Sequence, residues 1–279
     1  MSWQNLKRQS ESKIDAPEAY KMPITLRSRR EIELMRRAGA VVARVLSKLQ
    51  DVAKPGISTA DLDGIALKIT YEAGARALFK GVRNPRVRTP FPGAICASIN
   101  EQVVHGVPSE QAKLKEGDIL SIDFGAQLGG YCADAAVTVG IGKVSHENQR
   151  LMDVTKQVLD LAIANVAPAV KWSRVAGQMQ RYAESAGFSV VREYVGHGIG
   201  TEMHEEPKVP NFVSQDLLAD DITLAAGMVL AIEPMINAGT SAVLTLKNGW
   251  TVVTKDGKCS AHFEHTVAVV ENGCEVLTV

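Results

Sequence analysis

The sequence predicts an α+β fold built from two similar halves, each with a pair of helices and an antiparallel sheet, packed around one centre. Three observations predict it. Helical and strand-like stretches follow one another in the same order twice along the 279 residues. Pro55 and Pro168 end corresponding helices, and Gly74 and Gly187 close the next pair at the same offset. A strand-like run ending in an acid, "GDILSID" at 117–123, has a counterpart in "GMVLAIE" at 227–233.

Residues 1–22 are polar and read as an N-terminal extension, leaving 23–279 as one domain. A helix starts after Ser28, with Leu34, Ala38, Val41 and Val45 at three- and four-residue steps, and ends at Pro55-Gly56. Ser58 or Thr59 caps a second helix whose Leu62, Ile65 and Ile69 share a face, closed by Ala73-Gly74. Strands and loops run to about residue 141. A third helix covers about 146–166 and a fourth about 172–185, closed by Ala186-Gly187. Strand-rich sequence follows to the C-terminus.

Composition narrows the function. The chain is 46% hydrophobic and 22% charged, an ordinary globular balance. Lys+Arg and Asp+Glu both count 31, which argues against a protein devoted to DNA or other nucleic acid. No apolar run is long enough to span a bilayer. The four cysteines form no CxxC pair and suggest no disulfide framework. The N-terminus lacks a signal-peptide core, and Glu11, Asp15 and Glu18 make it a poor transit peptide. A cytoplasmic location is expected.

The chemistry starts in "GDILSIDFGAQLGGYCAD", which has the pattern of a β-hairpin turning at Gly129-Gly130. With a two-residue turn, Asp123 faces Ala136 and Asp134 faces Gly125. The two aspartates then lie diagonally on one face, where they repel unless a cation sits between them. Buried charges are costly unless paired or bound to metal. In "GHGIGTEMHEEP", His197 lies between glycines after the apolar run "SVVREYV", and His204 follows seven positions on. A histidine after a strand is more often structural than a ligand; two around a glycine-rich turn improve the case. Glu233 ends an apolar strand stopped by Pro234, and Glu264 lies within "SAHFEHTVAVV", facing the same way as His262 and Thr266. Four carboxylates and an imidazole suit hard or borderline divalent ions. Carboxylates can bridge two such ions about 3.5–4 Å apart around an activated water.

These motifs, with "INEQVVHGVP", "AIEPM" and "NGWTVVTKDGKCSAHFEHT", make the chain resemble type I methionine aminopeptidases of the pita-bread fold, from about residue 24 to the C-terminus. The resemblance implies that residues 23–279 form a pita-bread catalytic domain with Asp123, Asp134, His197, Glu233 and Glu264 holding two divalent ions. Mn, Fe, Co and Zn are not distinguished. It implies catalytic roles for His105, His204 and Glu233, and contacts from His105 and His204 to substrate. Phe91, Cys96, Met203 and Trp250 would line an apolar pocket for the methionine side chain, where sulfur–aromatic contacts suit a thioether. For an unaligned sequence, core packing explains Cys96 and Trp250 as well. The expected activity is removal of N-terminal methionine from nascent chains and peptides, before a small second residue.

The chain also departs from that pattern. The segment "KGVRNPRVRTPFP" is longer and carries Lys80, Arg83, Arg86 and Arg88, either a solvated loop or a contact for ribosomal RNA phosphates. Met203 stands where an aromatic residue is common, Ala231 replaces threonine, and His262 replaces glutamine. His262 reads either as a neighbour of the metal ligands or as a packed, neutral ring. Two rival functions are a proline-specific peptidase of the same fold, which usually carries an extra N-terminal domain, and a binding module that has lost catalysis.

Overall fold

Ser28 opens the first helix as the sequence predicts: its side chain accepts the Glu31 N–H while the Glu31 carboxylate reaches back to the Ser28 backbone N–H. The computed structural model describes residues 23–85 and 87–279; the polar extension expected over 1–22, and Arg86, lie outside the described residues. The first half contains α1 (Arg29–Val52), α2 (Thr59–Glu72), β1 (Arg76–Ala77), β2 (Cys96–Ile99), β3 (Gln102–Val104), β4 (Ile119–Leu128) and β5 (Tyr131–Gly140). The second contains α3 (His146–Asn165), α4 (Trp172–Ser185), β6 (Ser189–Val190), β7 (Gly196–Gly198), β8 (Glu205–Val209), α5 (Gln215–Ala219), β9 (Val229–Ile232), β10 (Met235–Asn237), β11 (Val243–Thr245), β12 (Val252–Thr254), β13 (Ser260–His262), β14 (Glu264–Val270) and β15 (Gly273–Val276). The helix pairs thus repeat.

Their caps do not repeat. Ser58 caps α2 by the same reciprocal device with Asp61. Ser145 caps α3. Lys171 precedes α4 and makes no side-chain cap; Asp221, distant in sequence, accepts the Ser173 N–H at 3.1 Å instead.

A sheet ordered β1-β4-β5-β14-β9-β7-β8 runs through both halves. One of its faces is packed by helices. Ile122, Phe124 and Ala126 of β4 share a core with Val42, Leu46 and Leu49 of α1 and Leu62 of α2. Leu230, Ile232 and Val267 share another with Leu151, Val158, Trp172 and Met179 of α3 and α4. Because side chains alternate along a strand, the intervening positions point the other way, into the centre. The hairpin register matches the sequence reading, with Asp123 opposite Ala136 and Asp134 opposite Gly125. Gly129 and Gly130, at φ 60° and 86°, supply the left-handed pair that such a turn needs.

Two strands expected from the sequence are interrupted. "SVVREYV" is not one strand: pairing stops at Val190, and exposed Arg192 and Glu193 lie in a bend before β7 resumes at Gly196. "SAHFEHTVAVV" breaks at Phe263, because β13 pairs with β10 in a small sheet whereas β14 pairs with β5 and β9 in the large one. Tertiary pairing partners, not local propensity, decide both breaks.

Candidate active site

Five neighbouring strands deliver the charged residues. Asp123 lies on β4, Asp134 on β5, Glu264 at the start of β14, Glu233 one residue beyond β9, and His197 in the middle of β7, in the sheet's own order. His197 pairs with Ala231, two residues before Glu233, so both face the same way. Gly196 and Gly198 permit this packing, since a Cβ on either would collide with the carbonyl of Ala231 or Glu206.

Ligand atoms of Asp134, His197 and Glu264 lie within 4.8 Å of one another. His197 Nε2 is 3.5 Å from Glu233 Oε1. Its Nδ1 lies 2.9 Å from the Gly198 carbonyl, which can only accept; Nδ1 therefore carries the proton and Nε2 offers its lone pair to the centre. Oδ1 of Asp123, Oδ1 of Asp134 and Oε1 of Glu264 are buried without a hydrogen-bond partner. Asp123 as a residue is half-buried, with its open side towards the cavity, yet that oxygen is sealed off.

Crowding shows in the proton affinities. Burial first pushes the Asp123 carboxyl up to about 7. Asp134 is raised well above its ordinary value by burial, then by Glu264 and Asp123. Glu233 is raised by burial, then by Asp123 and Asp134, and Glu264 by burial, then by Glu233 and Asp123. Four mutually repelling carboxylates with orphaned buried oxygens fit a cation site, because a cation would pair what the protein leaves unpaired.

A cavity of about 330 Å³ opens onto this cluster. Its lining includes every candidate from the sequence: Asp123, Asp134, His197, Glu233 and Glu264, His105 and His204, and the apolar Phe91, Cys96, Met203 and Trp250. Phe91 and Trp250 meet edge to face at 5.3 Å. His105 sits in the left-handed region at φ 57°, strained backbone for a non-glycine residue, with its ring edge-on to Tyr194. Burial holds its imidazole down at about 4, so it is neutral at working pH. His204 is partly exposed at the cavity rim, its ring 4.4 Å from that of His197, and burial of its inner side lowers its pKa. Lys80 is exposed, and Arg83, Asn84 and Pro85 belong to the cavity lining.

His262 stands behind the cluster. Its buried Nε2 has no hydrogen-bond partner and lies 3.9 Å from Glu233 Oε2. Burial pushes its imidazole down to about 3, so the ring is neutral.

Sequence reasoning missed the supports. Thr266 Oγ1 accepts the Asp134 N–H at 2.9 Å and donates to the Asp134 carbonyl at 2.8 Å. Thr138 does the same for the backbone of His262. These hydroxyls clip β5 to β13 and β14 where the halves meet. Asn211 Nδ2 donates to the Glu233 carbonyl at 3.1 Å. The only local signal was a polar residue among apolar neighbours, which identifies no partner.

Comparison with known proteins agrees with this geometry. Residues 33–271 match the model for metallopeptidase family M24. A methionine aminopeptidase of Clostridium acetobutylicum is 46% identical over 92% of this chain and 99% of its own. The crystal structure of the Thermotoga maritima methionine aminopeptidase superposes with a TM-score of 0.86 at 40% identity, covering 92% of this chain and 99% of that one. A prolidase of Pyrococcus horikoshii shares only the fold, at 18% identity and a TM-score of 0.72, and this chain spans 63% of it. By sequence and by structure, over nearly its whole length, the chain belongs to metallopeptidase family M24 and groups there with the methionine aminopeptidases.

Proposed function

We propose that this protein removes the N-terminal methionine from peptides and nascent chains, before a small second residue. One observation carries the reading: a cavity with apolar, sulfur- and ring-bearing walls ends on a cluster of buried carboxylates and an imidazole. Phe91, Cys96, Met203 and Trp250 receive the thioether side chain. Asp123 receives the free α-amino group, which restricts cleavage to chain ends.

Asp123, Asp134, His197, Glu233 and Glu264 would hold two divalent ions, Mn, Fe, Co or Zn. When bound, such ions supply Lewis acidity and an activated water. Glu233 can accept a proton from the attacking water at a carboxylate oxygen and pass it to the leaving amine. His204 donates an imidazole N–H to the developing oxyanion. His105, neutral and held by its strained backbone, contacts the amide beyond the scissile bond.

A cytoplasmic location fits four free cysteines and the absence, among the described residues, of any helix long and apolar enough to cross a membrane. The prolidase alternative has only the shared fold behind it. A module without catalysis would be expected to lose ligand-type residues, and this chain keeps all of them at one centre. The test is methionine release from Met-Ala-Ser beside a proline dipeptide, with and without chelator. Chelator-sensitive release from the tripeptide is expected; cleavage of the proline dipeptide alone would overturn the assignment.

A further inference from the structure

Arg27, in the segment leading into α1, has a side chain only 7% exposed. Its Nη2 donates to both carboxylate oxygens of Glu205, at 2.6 Å to Oε1. The same Oε1 accepts the backbone N–H groups of Thr201 at 2.9 Å and Glu202 at 3.2 Å. One carboxylate thus holds a buried guanidinium on one side and the inside of a tight loop on the other. The loop is tied again at its base, where the Cys132 N–H donates to the Gly200 carbonyl at 2.7 Å. At its crown stand Met203 and His204, side by side in the cavity lining.

The guanidinium passes directly over Gly200, where a Cβ would overlap its Nη2 and Cζ atoms. Arg27 is anchored in turn by its own backbone N–H, which donates to the Gly227 carbonyl at 2.7 Å, just ahead of β9. The strand edge that delivers Glu233 is therefore joined through Arg27 and Glu205 to the loop that delivers His204. His204 itself is exposed at the cavity rim, where its ring meets that of His197 at 4.4 Å, so its position follows that of the loop that carries it. A displacement of about 1 Å at a reacting centre is enough to lower a rate by about 10²-fold.

We propose that Arg27 is a positioning residue that, through Glu205, holds the 200–205 loop so that His204 meets the scissile carbonyl and Met203 closes the side-chain pocket. The proposal rests on the role given to His204 above. Arginine suits it because its delocalised guanidinium is weakly hydrated enough to be buried against Glu205 while Nη1 stays 3.7 Å from Glu31 Oε1, two carboxylates that a single lysine ammonium does not span in the same way.

The test uses the metal-loaded full chain and Met-Ala-Ser. Arg27→Gln is expected to lower kcat by about tenfold or more with bound metal unchanged, and Arg27→Lys to recover part of that loss. Gly200→Ala, which displaces the guanidinium without removing it, is expected to match Arg27→Gln. The deciding measurement is the double mutant: in a His204→Ala background, Arg27→Gln is expected to cost less than about twofold in kcat, because the residue it positions at the scissile carbonyl is gone, whereas its effect through Met203 remains in KM. Full multiplication of the two losses would overturn the proposal. If Arg27→Gln does not fold, Gly200→Ala crossed with His204→Ala reads the same coupling. An unchanged kcat in His204→Ala alone would sink the role of His204 itself, and the single mutant tells that failure apart from the other.

Discussion

Stripping divalent metal from the protein should cost more stability the higher the pH, and the site's carboxylates set the size of the effect. Burial pushes Asp123 up to about 7, and burial with repulsion from neighbouring carboxylates pushes Asp134, Glu233 and Glu264 well above the ordinary carboxylate range. With metal removed, the folded chain keeps protons on this cluster that the unfolded chain has already lost. A group whose pKa is higher folded than unfolded supports folding below its unfolded pKa, and that support is lost as pH rises through the folded pKa. Each proton so retained costs about 1.4 kcal/mol per pH unit. The buried histidines act in the opposite sense. His105 and His197 are held down at about 4 and His262 at about 3, so the unfolded chain gains protons that the folded one refuses, but only below the ordinary imidazole value of 6.5. From there to about pH 7, where Asp123 still holds its proton, the carboxylates dominate. Each half pH unit there removes about 0.7 kcal/mol per retained proton, or roughly 1–3 °C in a chain of this size. With metal bound, the ligands are ionised and paired, and the slope flattens. Thermal unfolding across this pH range, with chelator and with added metal, measures both curves. Parallel curves, or a chelated protein that gains stability as pH rises, would refute the reasoning.

Three further outcomes are expected. His204→Ala should lower kcat by about 10²-fold with metal content intact, and loss of bound metal measured by atomic absorption would make it a ligand instead. Met-Ala peptides should be cleaved much faster than Met-Lys peptides, and equal kcat/KM for the two would contradict a restricted space near His105. Gln at Lys80, Arg83, Arg86 and Arg88 should weaken salt-sensitive co-sedimentation with ribosomes and spare tripeptide kcat if the basic loop meets RNA phosphates; unchanged co-sedimentation leaves a solvated loop.

The sequence by itself determined the parts governed by local chemistry. Helix starts were legible at Ser28 and at Ser58 or Thr59 because a cap and the apolar periodicity after it are local; the structure puts the second cap on Ser58 and adds a reciprocal capping box to both. The placement of Asp123 and Asp134 was legible because a two-residue glycine turn sets the register of its hairpin, and alternation then sets the face. His197, Glu233 and Glu264 stood out as charges in apolar runs, though that they meet at one centre rested on a resemblance to known enzymes. What only the tertiary structure decided was everything that depends on a distant partner. The breaks at Val190 and Phe263 arise because neighbouring segments pair in different sheets. Asp221 at α4, Thr138 behind His262 and Thr266 behind Asp134 are set by contacts between residues far apart in the chain. Nothing in the local sequence marks Arg27, which folding buries against Glu205. A hydrogen bond between residues 178 positions apart leaves no periodicity in the sequence, and only the packed sheet brings its two ends together.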